Sequence, residues 1–274
     1  MIKFPQNYCL KFEIALLSAI LLLTYCNDVQ KTKGLRIVSL SPAMTEVLFA
    51  LGAKNNIVGV TTFCDYPEEA KAIYKVGDFS HPSVERIVGL KPNLVVVNLP
   101  EQKRIKQNLE KLKINIFVSS PKSLDDICDE ITEIGKILNK ENLADSLVSY
   151  IKSNIKNIKV KQKKRMYIEL SPRPIVTVGS KTFLNELIVM AGAENIFSDL
   201  NKEYPIVSQE EVIKRNPEII IILHPEEIED RTGWSKIEAI KNGRIIKDLN
   251  QDHLLRYGPR LVEGFKALRR VIDE

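Results

Sequence analysis

Five aromatic and charged side chains stand in loops next to the clearest strand patterns of this chain. They are Phe63, Phe79, Tyr204, Asp252 and Arg256. Ligands of open α/β sheets bind beyond the carboxyl ends of the strands, so residues in these loops are candidates for direct contact with a ligand. Aromatic rings offer large contact faces, and an arginine adds a rigid fork of hydrogen-bond donors. Because no nucleophile and base stand together among them, they favour reversible binding over catalysis.

No catalytic or metal-binding signature accompanies these residues. Residues 179–182 read GSKT, but a phosphate loop needs Gly directly before Lys and another Gly five residues earlier. The segment is instead typical of a turn in which Thr182 caps a helix. The chain has neither G-x-S-x-G nor G-x-G-x-x-G, and His81, His224 and His253 have no Cys or His at metal-ligand spacing. We expect no enzyme, no cofactor and no metal site; an enzyme without recognisable signatures is the alternative.

Three segments of the first half recur, in the same order, in the second half. The pairs are residues 36–42 (RIVSLSP) with 166–172 (MYIELSP), 45–53 (TEVLFALGA) with 185–193 (NELIVMAGA), and 83–97 (SVERIVGLKPNLVVV) with 208–222 (SQEEVIKRNPEIIII). Each set alternates strand and helix patterns, and the wholly apolar strands are typical of a parallel sheet covered on both faces. The sequence therefore predicts an α/β protein with two Rossmann-like lobes, residues 27–121 and 165–274.

A helical connection over residues 122–164 separates the two predicted lobes. Its apolar residues recur every three or four positions, at Leu143, Leu147, Ile151, Ile155 and Ile158. This spacing predicts one helix over 141–162, about 33 Å long at 1.5 Å per residue. We expect this single long backbone helix to hold the lobes at a fixed separation and to permit only slight twisting.

Residues 1–26 have the pattern of an export signal. Positive charge precedes an apolar run, Ile14 to Tyr25, that is shorter than the ~20 residues of a membrane span. Leu23-Thr24-Tyr25-Cys26 resembles a bacterial lipoprotein box, with Tyr25 standing where that family has Gly, Ala or Ser. We expect Cys26 to be lipidated; an ordinary secretory leader or an uncleaved anchor is the alternative. Either way the remaining chain lies outside the cytoplasm.

Charge and cysteine content limit the possible partners. The formal net charge is +5, and the one basic run, Lys159 to Arg165, is interpreted as a solvated helix end. A nucleic-acid partner, which normally needs a concentrated basic face, is therefore not expected. A disulfide between Cys64 and Cys128 is permitted in an oxidising compartment. Cys128, however, falls on the apolar face of a helical stretch, which favours a buried thiol.

The motifs resemble those of the periplasmic substrate-binding proteins for cobalamin and ferric siderophores. The resemblance lies in RIVSLSPAMTEVLFALGAKNNIVGVTTFCDYP, VGDFSHPSVERIVGLKPNLVVV, MAGAENIF, VSQEEVIKRNPEIIII and YGPRLVEG, and it covers residues 34–274. It implies two α/β lobes joined by one long helix. It also implies a monomer that captures a ligand between its lobes and delivers it to an ABC-importer permease. A membrane-tethered sensor or metal-delivery module on the same fold is a further alternative.

The cobalamin-binding branch is the most similar, and the resemblance implies a corrinoid held between aromatic walls. Those walls correspond to Phe63, Phe79 and Tyr204, while Asp252 and Arg256 occupy positions that supply polar contacts. Asn98 departs from the pattern, because cobalamin-binding proteins carry tryptophan there. A ferric siderophore or haem therefore stays open as the ligand.

The resemblance also gives a reason for the repeated Ser-x-acid segments. In this family each lobe presents a glutamate that docks on arginines of a two-fold permease dimer, and the matching residues here are Glu85 and Glu210. The alternative is that each acid simply complements the dipole at the start of its helix.

Overall fold

Two sheets form the centres of two lobes in the computed structural model, which describes residues 34–228 and 230–274. The first sheet is parallel, in the order β2-β1-β3-β4. Its strands are β1 (Ile37–Ser39), β2 (Ile57–Val60), β3 (Leu94–Asn98) and β4 (Ile116–Ser119). The α/β class is confirmed. The predicted leader, including Cys26, lies outside the described residues.

The second sheet has five strands in the order β6-β5-β8-β9, with β7 also paired to β5. The strands are β5 (Lys164–Pro172), β6 (Ile175–Thr177), β7 (Ala193–Asn195), β8 (Ile219–Ile222) and β9 (Ile245–Ile246). Only the β5–β6 pair is antiparallel. The sequence analysis did not predict β6 and β7.

Helices cover the sheets and fill the connection between them. They are α1 (Pro42–Ala50), α2 (Val84–Gly89), α3 (Lys103–Lys111), α4 (Leu124–Leu138), α5 (Glu141–Asn154), α6 (Phe183–Met190), α7 (Gln209–Arg215), α8 (Glu238–Lys241), α9 (Gln251–Leu255) and α10 (Leu261–Asp273). Short 3-10 helices occupy Lys54–Asn56, Glu68–Ala72 and Trp234–Lys236. Gly52 follows α1 at φ +70°, the left-handed conformation that glycine adopts readily at the end of a helix.

The repeated segments occupy equivalent places in the two lobes. β1 and β5 are central strands, and each pairs in parallel with the strand that ends the repeated helix–Pro–strand unit, β3 or β8. Ser83 caps α2 by accepting from Arg86 N at 3.2 Å, and Ser208 caps α7 by accepting from Glu211 N at 3.3 Å. The sequence repeat is therefore a structural duplication.

The connection contains two helices, so the prediction of one helix over 141–162 is wrong. α5 ends at Asn154, and residues 155–163 are not helical. Lys156, Lys159 and Lys163 would place like charges three and four residues apart on a continued helix, which destabilises it. Ile158 instead donates its backbone N–H to Met190 O at 2.8 Å, at the end of α6. The basic run is thus an exposed non-helical segment up to Lys163, and its last two residues, Lys164 and Arg165, are partly buried at the start of β5.

α4 lies between the two lobes and shares one apolar core with both. Its buried residues include Ile127, Ile131 and Ile134, in a cluster that also contains Val47 of α1 and Leu184 of α6. α5 packs back on α4, where Gly135 allows the approach because an added Cβ would lie 2.4 Å from Ala144 Cβ. The two lobes are therefore fastened to the connection by packing as well as by the chain.

Candidate functional site

A cavity of about 490 Å³ opens between the two lobes, beyond the carboxyl ends of their central strands. We call it the main cavity. The first lobe and the connection contribute Ser41, Phe63, Phe79, Asn98, Glu101 and Lys122, among others, and the second lobe contributes Lys181, Phe183, Glu203, Tyr204, Asp252, Arg256 and Tyr257. All five predicted ligand residues thus line one cavity, which is open to solvent on one side.

Phe63 and Phe79 come from two loops of the first lobe. Phe63 follows β2 and is 56% exposed, so its ring presents a largely uncovered face. Phe79 precedes α2, and its backbone is held by the buried side chain of Gln102, whose amide donates to Phe79 O at 2.8 Å and to Leu40 O at 3.1 Å. Gln102 also accepts from Asn98 N at 2.8 Å. This amide joins the Phe79 loop to the ends of β1 and β3.

Tyr204 faces the cavity from the second lobe. Its loop is bonded to the segment after β6, where Gly179 N donates to Glu203 O and Lys181 N donates to Lys202 O. Gly179 is needed for this approach, since an added Cβ would lie 2.2 Å from Lys202 O. Burial, and then the charges of Glu101 and Glu203, raise the pKa of Tyr204 to about 12. The phenol therefore stays neutral at physiological pH and keeps its proton for donation.

Arg256 lies in the cavity wall, but its guanidinium is already surrounded by acids. It pairs with Asp65 at 2.7 Å, Asp252 at 3.1 Å and Glu46 at 3.3 Å. Glu46, on α1, is buried and also binds Arg260. The arginine was expected to offer a free fork of donors; the structure shows it connecting the two lobes, so a ligand would have to share it.

Tyr257 is a cavity residue to which the sequence analysis assigned no role. Its hydroxyl donates to Asn98 Oδ1 in the other lobe and lies 3.0 Å from Ser119 Oγ. Its ring packs edge-on against Phe183, with the centroids 5.7 Å apart. Asn98, which stands where cobalamin-binding proteins carry tryptophan, thus contacts an aromatic residue from the opposite lobe. Tyr257 belongs to the YGPRLVEG motif, but only the fold shows that its side chain reaches Asn98.

Glu130 of α4 continues this hydrogen-bonded group at the base of the cavity. Ser119 donates to its Oε2 at 2.5 Å and Ser120 N donates to its Oε1 at 2.8 Å. Burial raises the pKa of Glu130 above its usual value, although both hydrogen bonds oppose the rise. Ser119 and Glu130 do not line the cavity themselves, but they connect its lining residues Tyr257 and Ser120 to α4.

Glu85 and Glu210 are exposed in the first turns of α2 and α7. The hydroxyl of Ser83 donates to Glu85 Oε2 at 2.8 Å and is the first cause of the lowered pKa of Glu85. The pKa of Glu210 is lowered by its own backbone N–H and then by Ser208. Each lobe therefore presents an ionised carboxylate at an equivalent place.

The described cysteines are both free and buried. Cys128 lies in the core on α4, as its position in the apolar pattern predicted. Across residues 34–228 and 230–274, no group of three or more His, Cys, Asp or Glu side chains is arranged to hold a metal ion. Within the same residues, no helix has both the length and the apolar character that a bilayer crossing requires.

Known proteins share this fold and these motifs. Residues 37–251 match the family model described as periplasmic binding protein. The uncharacterized ABC transporter substrate-binding lipoprotein YvrC of Bacillus subtilis (strain 168) is 35% identical over 257 residues, covering 88% of this chain and 81% of that protein. The vitamin B12-binding protein of Vibrio vulnificus (strain YJ016) is 31% identical over 250 residues, covering 88% and 90%.

A solved structure extends the similarity to the whole fold. The crystal structure of a possible iron-binding (periplasmic solute-binding) protein from Staphylococcus epidermidis ATCC 12228 is 33% identical, with a TM-score of 0.76, and the match covers 87% of this chain and 98% of that one. The chain therefore belongs to the periplasmic binding protein family. Its class of function is that of a substrate-binding protein of an ABC importer.

Proposed function

We propose that this protein captures a corrinoid in the main cavity and delivers it to the permease of an ABC importer. The observation that carries the proposal is the pair of aromatic walls, Phe63 and Phe79 from one lobe and Tyr204 from the other, around one open cavity. A broad, flat ligand buries the faces of such rings at low entropic cost. Because the cavity is open on one side, the ligand can project beyond the enclosed volume.

The comparisons support this choice of ligand. A relative that is 31% identical over most of both chains is named a vitamin B12-binding protein. The sequence resemblance implies that Phe63, Phe79 and Tyr204 are the corrin-binding aromatics, and all three line the main cavity. Asp252 is the polar contact that stands beside them, and Arg256 contributes the donors that its three acids leave available.

A ferric siderophore or haem is the second candidate. Asn98 replaces an aromatic wall by a polar side chain, and it is engaged by the hydroxyl of Tyr257. The similar protein from Staphylococcus epidermidis is described as possibly iron-binding. A cavity with more polar groups suits the oxygen-rich surface of an iron chelate.

Delivery completes the proposed role. The protein acts as a monomer tethered outside the cytoplasm by lipid on Cys26, as the name of the Bacillus subtilis relative suggests by analogy. Glu85 and Glu210 dock on a permease dimer, one from each lobe. Charge pairs of this kind supply orientation and association rate more than affinity.

Calorimetric titration of the purified protein with cyanocobalamin, haem and ferric siderophores tests the ligand. We expect saturable 1:1 binding of cyanocobalamin, weakened about 30-fold or more in Phe79→Ala/Tyr204→Ala, since two half-buried rings together contribute about 2 kcal/mol. Tyr74→Ala, an exposed tyrosine that does not line the cavity, is the control. Unchanged affinity in the double variant would show that the cavity is not the binding site, and tighter binding of an iron chelate would favour the second candidate.

A further inference from the structure

A second cavity of about 450 Å³ lies beside the main cavity, on the side of α3. We call it the side cavity. The two cavities share Leu99, Ser120, Lys122 and Glu203, so they are adjacent compartments of one cleft. The aromatic walls of the proposed function do not extend into it.

One face of α3 gives the side cavity its polar character. Lys103, Lys106, Gln107 and Glu110 line it, at the spacing that places side chains along a single helical stripe. Lys106 is paired with Glu110 at 2.5 Å. With Lys122 and Glu203 included, three lysines face two glutamates, and the compartment carries a net positive charge.

An ion pair between the lobes separates the two compartments. Lys122 precedes α4, Glu203 precedes Tyr204 in the second lobe, and their Nζ and Oε1 atoms are 2.7 Å apart. The side chains are 42% and 32% exposed. A pair this accessible to water contributes little stability, so a ligand anion can replace Glu203 as the partner of Lys122.

We propose that the side cavity is a subsite for an anionic substituent, a phosphodiester or carboxylate, of the ligand held in the main cavity. Lysine binds such groups as a compact point charge on a flexible stem. Lys122 is the first contact because it lines both cavities, and Lys103 and Lys106 line the side cavity from α3. The negative charge of Glu203 repels the anion. The inference rests on the proposed function, because it needs a ligand in the main cavity.

Three corrinoids distinguish binding of the phosphate group from binding of the rest of the ligand. Cobalamin carries a phosphodiester in its nucleotide loop, cobinamide phosphate keeps a phosphate without the base, and cobinamide has neither. The full chain is titrated calorimetrically with each, as wild type, as Lys103→Gln/Lys122→Gln and as Glu203→Gln. Lys111→Gln is the matched control, because it removes a charge from α3 but lines neither cavity.

We expect the double lysine variant to weaken both phosphate-bearing corrinoids roughly fivefold or more, as loss of hydrogen bonds to a charged group does. Cobinamide should change less than twofold. Glu203→Gln should act in the opposite direction and tighten only the phosphate-bearing ligands. Equal changes for all three corrinoids, or none, would overturn the subsite while leaving the proposed function intact. Failure of the wild type to bind any corrinoid would overturn the corrinoid function, and the subsite with it.

Discussion

Glu169 is the most completely enclosed acid of the second lobe, and its neighbours compensate its charge. Arg231 donates to both carboxylate oxygens of Glu169, at 2.7 and 2.8 Å. His224 Nε2 lies 2.8 Å from Oε1, and the hydroxyl of Tyr167 donates to Oε2 at 2.8 Å. His224 is thus a structural side chain rather than a metal ligand. Sequence could not group these residues, since Arg231 lies 62 positions from Glu169.

Removal of Arg231 is expected to destabilise the protein strongly. In Arg231→Met the carboxylate of Glu169 stays buried with its main cationic partner gone, which costs about 3–5 kcal/mol. Urea unfolding followed by circular dichroism measures the change. Arg173→Met is the matched control, because its pair with Glu226 is exposed to water and should contribute under about 1 kcal/mol. Similar losses in the two variants would contradict this account.

At the scale of elements, the sequence predicts well whatever depends on local periodicity. The repeated helix–Pro–strand units and the cap at Thr182 depend on residues within one or two turns, and both are present. The end of α5 depends instead on Met190 O, a partner 32 residues away from Ile158. α10 is an exception: its buried residues Leu261, Phe265 and Leu268 recur every three or four positions, the pattern of an amphipathic helix, yet it was not predicted.

The site divides in the same way. Loop positions after strands placed Phe63, Phe79 and Tyr204 at the cavity, because strand direction fixes where those loops lie. The contacts of Arg256 with Glu46 and Asp65, and that of Tyr257 with Asn98, could not be predicted, since they join residues from different lobes. Pairing across lobes is set by how the two sheets sit on α4, which no local pattern encodes.

Gln102 couples the start of α3 to the Phe79 loop, and Gln102→Leu tests that coupling. The substitution leaves one buried and two partly buried backbone groups without their partner, and the buried one alone costs about 1–3 kcal/mol. We expect a lower melting temperature together with weaker ligand binding, because Phe79 loses its support. Gln209→Leu, which removes the same amide at the start of α7 and away from the cavity, should change neither property. A variant that melts early but binds normally would show that Gln102 does not position Phe79.

At the scale of the molecule, the two lobes are bound together beside the cavity as well as through α4. Residues 256–260 of the second lobe lie against α1, and a Cβ on Gly258 would be 3.2 Å from Ala43 O. Arg256 and Arg260 both reach the buried Glu46. Contacts of this kind oppose separation of the lobes, and the slight twisting expected from the sequence stays a prediction. These contacts replace the single long helix as the physical reason for that expectation.

The pair between Asp65 and Arg256 makes part of this contact dependent on pH. Burial pushes the pKa of Asp65 up, but the hydrogen bond and charge of Arg256 lower it overall from 3.8. The pair therefore stabilises the fold above the unfolded-state value, and the stabilisation is lost as the pH falls through the lower folded-state value. Because Asp65 is 46% exposed, we expect at most about 1 kcal/mol.

Urea unfolding of the wild type and of Asp65→Asn between pH 7 and pH 2.5 measures this contribution. The two free energies of unfolding should differ at pH 7 and converge in acid below about pH 4. Asp145→Asn, an exposed substitution on α5, is the control and should change stability little at any pH. A difference for Asp65→Asn that is constant down to pH 2.5 would contradict a role for the ionised carboxylate.

The duplication gives the molecule two equivalent exposed carboxylates, Glu85 and Glu210, and a transport assay tests whether they dock on the permease. In Glu85→Arg/Glu210→Arg we expect ligand binding to survive, since both residues are exposed and helix-dipole effects cost only about 0.3–1 kcal/mol each. Uptake of labelled corrinoid should be lost, because both lobes would then repel the arginines of the permease. Glu141→Arg, at the exposed start of α5, makes the same reversal outside the repeat and should leave uptake unchanged. Uptake that persists in the double variant would show that these glutamates serve only their own helices.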